Sequence, residues 1–151
     1  MTGIATAVQT AVFNALNGST ELTGLLASHN RFSRSAIYDR MPQPADSGNN
    51  GLFPMLTIGE DNPLDWSTDT ASGADVAVNI HIWSRNPGWS EAKEIAGAVY
   101  KALHRQELTV PDHELIDCHF ESEEMIRDPD GITLHIAAQY RMTIDEAGYG
   151  E

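Results

Sequence analysis

The sequence predicts an α+β fold: a mainly antiparallel β-sheet with a long C-terminal hairpin, one main helix packed on a face and another helix at the N-terminus. Three observations predict it. Val76, Val78, Ile80 and Ile82 alternate with Ala77, Asn79, His81 and Trp83, the period of a strand with one buried face. Ala92, Ile95, Val99, Ala102 and Leu103 recur at helical spacing between Ser90 and about His104. Ile132, Leu134, Ile136, Ala138, Tyr140, Met142 and Ile144 alternate with polar or small residues, directly after the turn tetrapeptide Asp128-Pro129-Asp130-Gly131.

The remaining elements follow in order. Ile4, Val8, Ala11, Val12, Ala15 and Leu16 share one face of an N-terminal helix. Gly18 is its expected stop, through the left-handed conformation that glycine accepts. Ser19 and Thr20 can cap a short second helix carrying Leu22, Leu25 and Leu26, with Glu21 favouring its positive end. Residues 36–40 read as a short strand and 41–53 as a flexible loop rich in Pro, Gly and Asn. Residues 55–60 read as a strand with Pro54 at its start, where no ladder donor is needed. Residues 62–74 read as a second flexible loop. Asn86-Pro87-Gly88 is a turn, and Ser90 is the expected cap of the main helix. Glu91 in its first turn and Arg105 near its end suit the helix dipole. Residues 115–122 have β character, with Ile116, Cys118 and Phe120 on one face. The tail, 145–151, reads as loose. The order is α, α, β, β, β, α, β, β in a single domain, 1–151, with a core over about 4–144.

Charge is the outlier. Nine Lys and Arg against 22 Asp and Glu leave a formal net charge of −13. Affinity for DNA comes from neutralising phosphates, and this chain cannot present a broad basic face. It should repel DNA it meets, unless the acidity serves solubility alone. No apolar run approaches the roughly 20 residues that cross a bilayer. The N-terminus lacks the basic start and apolar stretch of a signal peptide, so synthesis in the cytosol is the default. The single Cys118 cannot form an internal disulfide and reads as a small core residue.

Catalytic motifs are missing: no nucleophile elbow, phosphate-binding glycine loop or paired-His zinc signature. His113, Cys118 and His119 are close in sequence, and His81 and His135 lie on strands. Adjacent strand residues point to opposite faces, however, so Cys118 and His119 cannot share an ion without distortion. No metal or cofactor is expected. The acidic run Glu121-Ser122-Glu123-Glu124 reads as a solvated strand end, and Glu60, Asp61 and Asp65 are read alike. Trp83 sits on the polar face of its strand, so it is either covered by another element or anchors a partner.

The order and spacing of short segments across about residues 4–144 resemble one family. They are Glu21-Leu22-Thr23-Gly24-Leu25-Leu26, then Ile37-Tyr38-Asp39-Arg40-Met41-Pro42-Gln43, then Phe53-Pro54-Met55-Leu56-Thr57-Ile58-Gly59-Glu60. Asp65-Trp66-Ser67-Thr68, His81-Ile82-Trp83-Ser84-Arg85, Glu91-Ala92-Lys93-Glu94-Ile95, Phe120-Glu121-Ser122 and Arg127 to His135 complete the set. The chain is similar to the tail completion, or head–tail joining, proteins of long-tailed bacteriophages and prophages. The loop near 47–52 is a little longer than typical.

The resemblance implies a structural virion protein and no catalysis. Its implied partners are copies of itself in a hexameric ring, the tail-tube protein and a head connector or stopper protein. DNA would pass through the lumen without specific binding, with no membrane involved. The place implied is the head-proximal end of the tail, after synthesis in the bacterial host. Exposed strand edges and Trp66, Trp83, Asp65 and Arg85 are the candidate interface. Alternative readings are a head-side adaptor or stopper, a tail-tube subunit, a small metal-dependent hydrolase using His113, His119 and the acidic cluster at 121–124, and a cytosolic binding module outside virions.

Overall fold

In the computed structural model, which describes residues 4–29, 36–38, 53–65 (60–65 by backbone only) and 73–145 (73 by backbone only), the elements follow the expected order. They are α1 (Ile4–Asn17), α2 (Thr20–His29), β1 (Ile37–Tyr38), β2 (Met55–Asp65), β3 (Gly73–Ser84), α3 (Ser90–Leu103), β4 (Glu114–Arg127) and β5 (Leu134–Asp145). The five strands form one sheet in the order β1-β2-β3-β5-β4. Only β1 is parallel to its neighbour; every other pair is antiparallel. The class is α+β, as the alternating strands and the single long helical stripe predict.

Helices α1, α2 and α3 lie on one face of the sheet, because that is where each buries its stripe. Ala7, Val8, Ala11, Val12 and Leu16 of α1 and Ala92, Ile95, Val99 and Leu103 of α3 are buried in one cluster. Val76, Val78, Ile80 and Ile82 of β3 meet them from the sheet, with Ile136, Ala138, Tyr140, Met142 and Ile144 of β5. Burying each large apolar side chain contributes about 1.5–3 kcal/mol. Cys118 is part of this cluster, as expected.

Local details depart from the sequence reading in instructive ways. Ser19 does cap α2: its hydroxyl accepts from the Leu22 N–H at 3.2 Å. Ser90, expected as a cap, is instead the first helical residue of α3; the cap position is Trp89, in helical conformation and with no side-chain capping bond. The start of α3 is held differently, by the buried Glu91 carboxylate accepting from the Ser84 hydroxyl at 2.7 Å. Gly18 ends α1 without entering the left-handed region; among the described glycines only Gly88 and Gly131 do.

Strand lengths differ most. Residues 62–65 and 73–74, expected as loop, are paired strand. Pro63 lies inside β2 opposite Val76 of β3, in a stretch whose other side has no described strand neighbour, since β1 pairs only with Leu56 and Thr57. Residues 66–72, and most of the other expected loop and the expected tail, lie outside the described residues. The expected 36–40 strand is described only over Ile37–Tyr38. Bulges interrupt β4 between Leu115 and Asp117 and between Phe120 and Ser122. The first one throws Ile116 out of the face it was expected to share with Cys118, leaving it 54% exposed. Ile132 precedes β5 and is likewise exposed.

Candidate assembly surface

The sheet face opposite the helices is where the polar half of each alternating strand is displayed. No described helix packs on it. Its side chains are mostly half-buried and largely bonded to one another. Trp83 and His135 are direct cross-strand partners, and their rings stack at 3.9 Å and 11°. The Trp83 indole N–H donates to Thr57 Oγ1 at 3.1 Å. His81 lies diagonally across, its Nδ1 2.7 Å from His135 Nε2, so one nitrogen donates a proton to the other. Burial holds the His135 pKa below its ordinary value, and the neighbouring His81 acts in the same direction; Asp128 and Glu124 oppose them.

His81 can sit there because Gly59 has no side chain: a Cβ at that position would lie 2.6 Å from His81 Nε2. Further along the face, Arg141 Nε donates to Glu121 Oε2 at 2.6 Å, and Gln139 donates to the same carboxylate. These bonds hold the Glu121 carboxyl below the usual carboxylate range. The Thr143 hydroxyl donates to Asp75 at 2.9 Å, and the His119 ring bonds Asp117 at 2.6 Å. The result is a polar surface whose side chains are largely hydrogen-bonded to one another.

At one end of this face Trp83 and Tyr38 pack against a second small cluster of Ala36, Phe53 and Met55. Arg85 closes that end. Its guanidinium carbon lies 4.3 Å from the Phe53 ring centroid, its Nε donates to Thr133 Oγ1 at 3.0 Å, and Asp130 is 3.9 Å away. Asp130 organises the β4–β5 turn, accepting from the backbone N–H groups of Ile132 and Thr133 at 2.8 Å and from the Thr133 hydroxyl. Those backbone bonds pull its pKa down to about 2. The turn closes through Gly131 N–H to Asp128 carbonyl at 3.0 Å, as its tetrapeptide predicts.

Of the four residues picked from sequence, Trp83 and Arg85 are therefore brought together at one end of the open face. Asp65 ends β2 opposite Ala74, and Trp66 lies outside the described residues. Sequence reading weighed His81 and His135 only as metal ligands and did not pair them, and it gave Gly59 no role of its own. Once β3 and β5 are paired, the shared alternation would have placed the two histidines on one face.

Of the histidines considered for chemistry, His81 and His135 meet each other on the open face, whereas His113 and His119 are engaged elsewhere. His113 Nδ1 bonds the Pro111 carbonyl at 2.7 Å, and His119 is engaged by Asp117. Among the described residues no group of three or more His, Cys, Asp or Glu could hold a metal ion. Burial pushes the Cys118 thiol up to about 12, so at neutral pH it is not a thiolate nucleophile. No described helix is long and apolar enough to cross a membrane.

Comparison with known proteins points one way. The profile of a family described as tail completion protein gp17 matches residues 10–145. The tail completion protein gp17 of Bacillus phage SPP1 is 24% identical over 98 residues, covering 65% of this chain and 72% of that protein. A chain from the virion of a native gene transfer agent particle superposes with a TM-score of 0.80 at 23% identity, covering 96% of this chain and 99% of that one. At that identity the superposition speaks for the fold alone.

Proposed function

Because the chain belongs to the family of tail completion protein gp17, a structural component of the phage tail, we propose that it is the non-enzymatic ring that finishes the tail at its head-proximal end. The family match over 10–145, nearly the whole chain, carries this reading. In it, about six copies close a ring on the last layer of tail tube, stop further polymerisation and offer a docking surface to the head connector. Each copy acts as a single unit over 1–151. DNA moves through the lumen without specific contacts.

Charge supports the last step. At a net −13 per chain, a ring presents like charge to DNA and releases no counterions on contact, so nothing holds the duplex in place. Trp83 is the proposed aromatic anchor for a neighbouring copy. It is half-buried and its indole N–H is already satisfied by Thr57, so covering its remaining surface strands no polar group. Arg85, with the side chain only 16% exposed, contributes by fixing the end of the face on which Trp83 sits.

Light scattering of the purified protein, alone and with its cognate tail-tube protein, tests the reading. A discrete species near six times 16.5 kDa, alone or only with the tube, is the expected result. Open-ended tubes would reassign the chain as a tube subunit. A monomer indifferent to both tube and head connector would remove the assembly reading altogether.

A further inference from the structure

Strand β4 ends the sheet, and its two halves differ. In the first half the outward backbone groups are occupied. The Arg105 N–H donates to the Cys118 carbonyl at 2.7 Å, and the Phe120 N–H donates to His104 Nδ1 at 3.0 Å. Beyond the second bulge this cover stops. Among the described residues, no backbone bond reaches the outer edge of residues 122–127. Of residues 121–127 all but Ile126 are exposed.

The backbone fixes which groups of this segment face outward. The Asp128 N–H points across the hairpin, donating to the Thr133 carbonyl at 3.0 Å. Direction alternates along an antiparallel strand, so residues 123, 125 and 127 present their N–H and C=O groups to the open side. Phe120 also points outward, and the extra residue of the second bulge accounts for the change of phase. Glu123, Met125 and Arg127 stand opposite Ala138, Ile136 and Leu134, so their side chains share the face that carries the helices.

These three residues complement themselves. An antiparallel copy of the segment, related by a two-fold axis at Met125, sets Glu123 of each chain opposite Arg127 of the other and the two Met125 side chains together. All three positions are then hydrogen-bonded pairs, because all three point outward. Neither Glu123 nor Arg127 has an ion-pair partner among the described residues, and four positions apart on one strand they cannot reach each other. Other registers fail: an axis at residue 123, 124 or 127 puts like charges directly opposite, and one at Ile126 sets Glu124 against Asp128. The sheet's other edge is a poorer mate. β1 is described over only Ile37 and Tyr38, neither of which carries a charge to meet Glu123 or Arg127, and Ala36 before them leaves the extended conformation at φ 33°.

We propose that residues 123–127 of β4 pair antiparallel with the same segment of a second copy, joining two sheets across a two-fold axis at Met125. Such a contact closes at two copies and cannot by itself build a ring, so it stands or falls apart from the ring reading. Five residues a side make a small interface, and the association is accordingly weak and concentration-dependent.

Sedimentation of the full chain without tail-tube protein, with amide hydrogen exchange in the same samples, tests this. Between about 10 µM and about 1 mM the mass should rise from 16.5 kDa towards twice that value. The amides of Glu123, Met125 and Arg127 should slow by about threefold, as when two-thirds of the chains are paired. Glu123→Arg alone, or Arg127→Glu alone, sets like charges against each other and should stay monomeric. An equimolar mixture of the two variants restores both opposite-charge pairs and should dimerise. A wild-type chain still monomeric at about 1 mM would overturn the proposal. So would a rise in mass without slowing of these three amides, single variants that associate as the wild type does, or a mixture that stays monomeric.

Discussion

Strands β4 and β5 are joined by one tight turn, are nearly equal in length at 14 and 12 residues, and lead opposite lives. β5 is paired on both sides, and its residues alternate strictly between buried and half-buried. β4 is paired on one side only, carries two bulges, and is exposed on both faces over most of its second half. The difference teaches that a strand's sequence reports its neighbours more than its own conformation. β5 needs Leu, Ile, Tyr and Met every second residue because helices cover one face. β4 can carry Glu-Ser-Glu-Glu because no described strand pairs with its outer edge and residues 121–125 are exposed.

The sharpest way to break the comparison is to truncate one side chain on each strand. Tyr140 is 1% exposed and meets Phe120 edge-on at 5.6 Å. Tyr140→Ala should cost about 3–5 kcal/mol by analogy with other large aromatic truncations. Met125→Ala on β4 should stay within about 0.5 kcal/mol. Urea midpoints measure both, and equal losses would mean that β4 is covered in the free protein after all.

A smaller effect probes the open face. Gly59→Ala should destabilise by about 1–3 kcal/mol, as overpacking does, since the new Cβ meets the His81 ring. In a His81→Ala background the same change should cost clearly less. Additive losses in the double variant would show that the clash is not with His81.

The smallest effect is in pH. Because the His135 pKa is lowered in the folded protein, the unfolded chain binds more protons below the ordinary histidine pKa of 6.5. Stability should therefore fall as pH drops from 7.5 to 5.5, and His135→Gln should flatten that slope. A slope unchanged in the variant would assign it to other groups. β5 would then owe nothing to the neutrality of His135.

Much of the fold was legible because its signals are local. The alternation in β3 and β5, the stripe of α3, the Ser19 cap and the Asp128–Gly131 turn each depend on residues a few positions apart. The candidate surface was legible only in part. Trp83 stood out because a large aromatic on a polar face is unusual, and Arg85 beside it. His81 and His135 were legible only as possible metal ligands, because the observation that matters is their 2.7 Å approach across 54 residues of chain.

By itself, then, the sequence determined the class, the order of elements, the buried face of each main strand and an acidity that disfavours binding DNA. Periodicity and charge are properties of the chain that need no partner to be read. Tertiary structure alone decided where β2 and β3 end, that Ile116 leaves the core at a bulge, that Gly59 makes room for a histidine, and that β4 is the edge. A strand lasts as long as a neighbour supplies its hydrogen bonds, and which strand is left without a second neighbour depends on how the whole sheet is ordered.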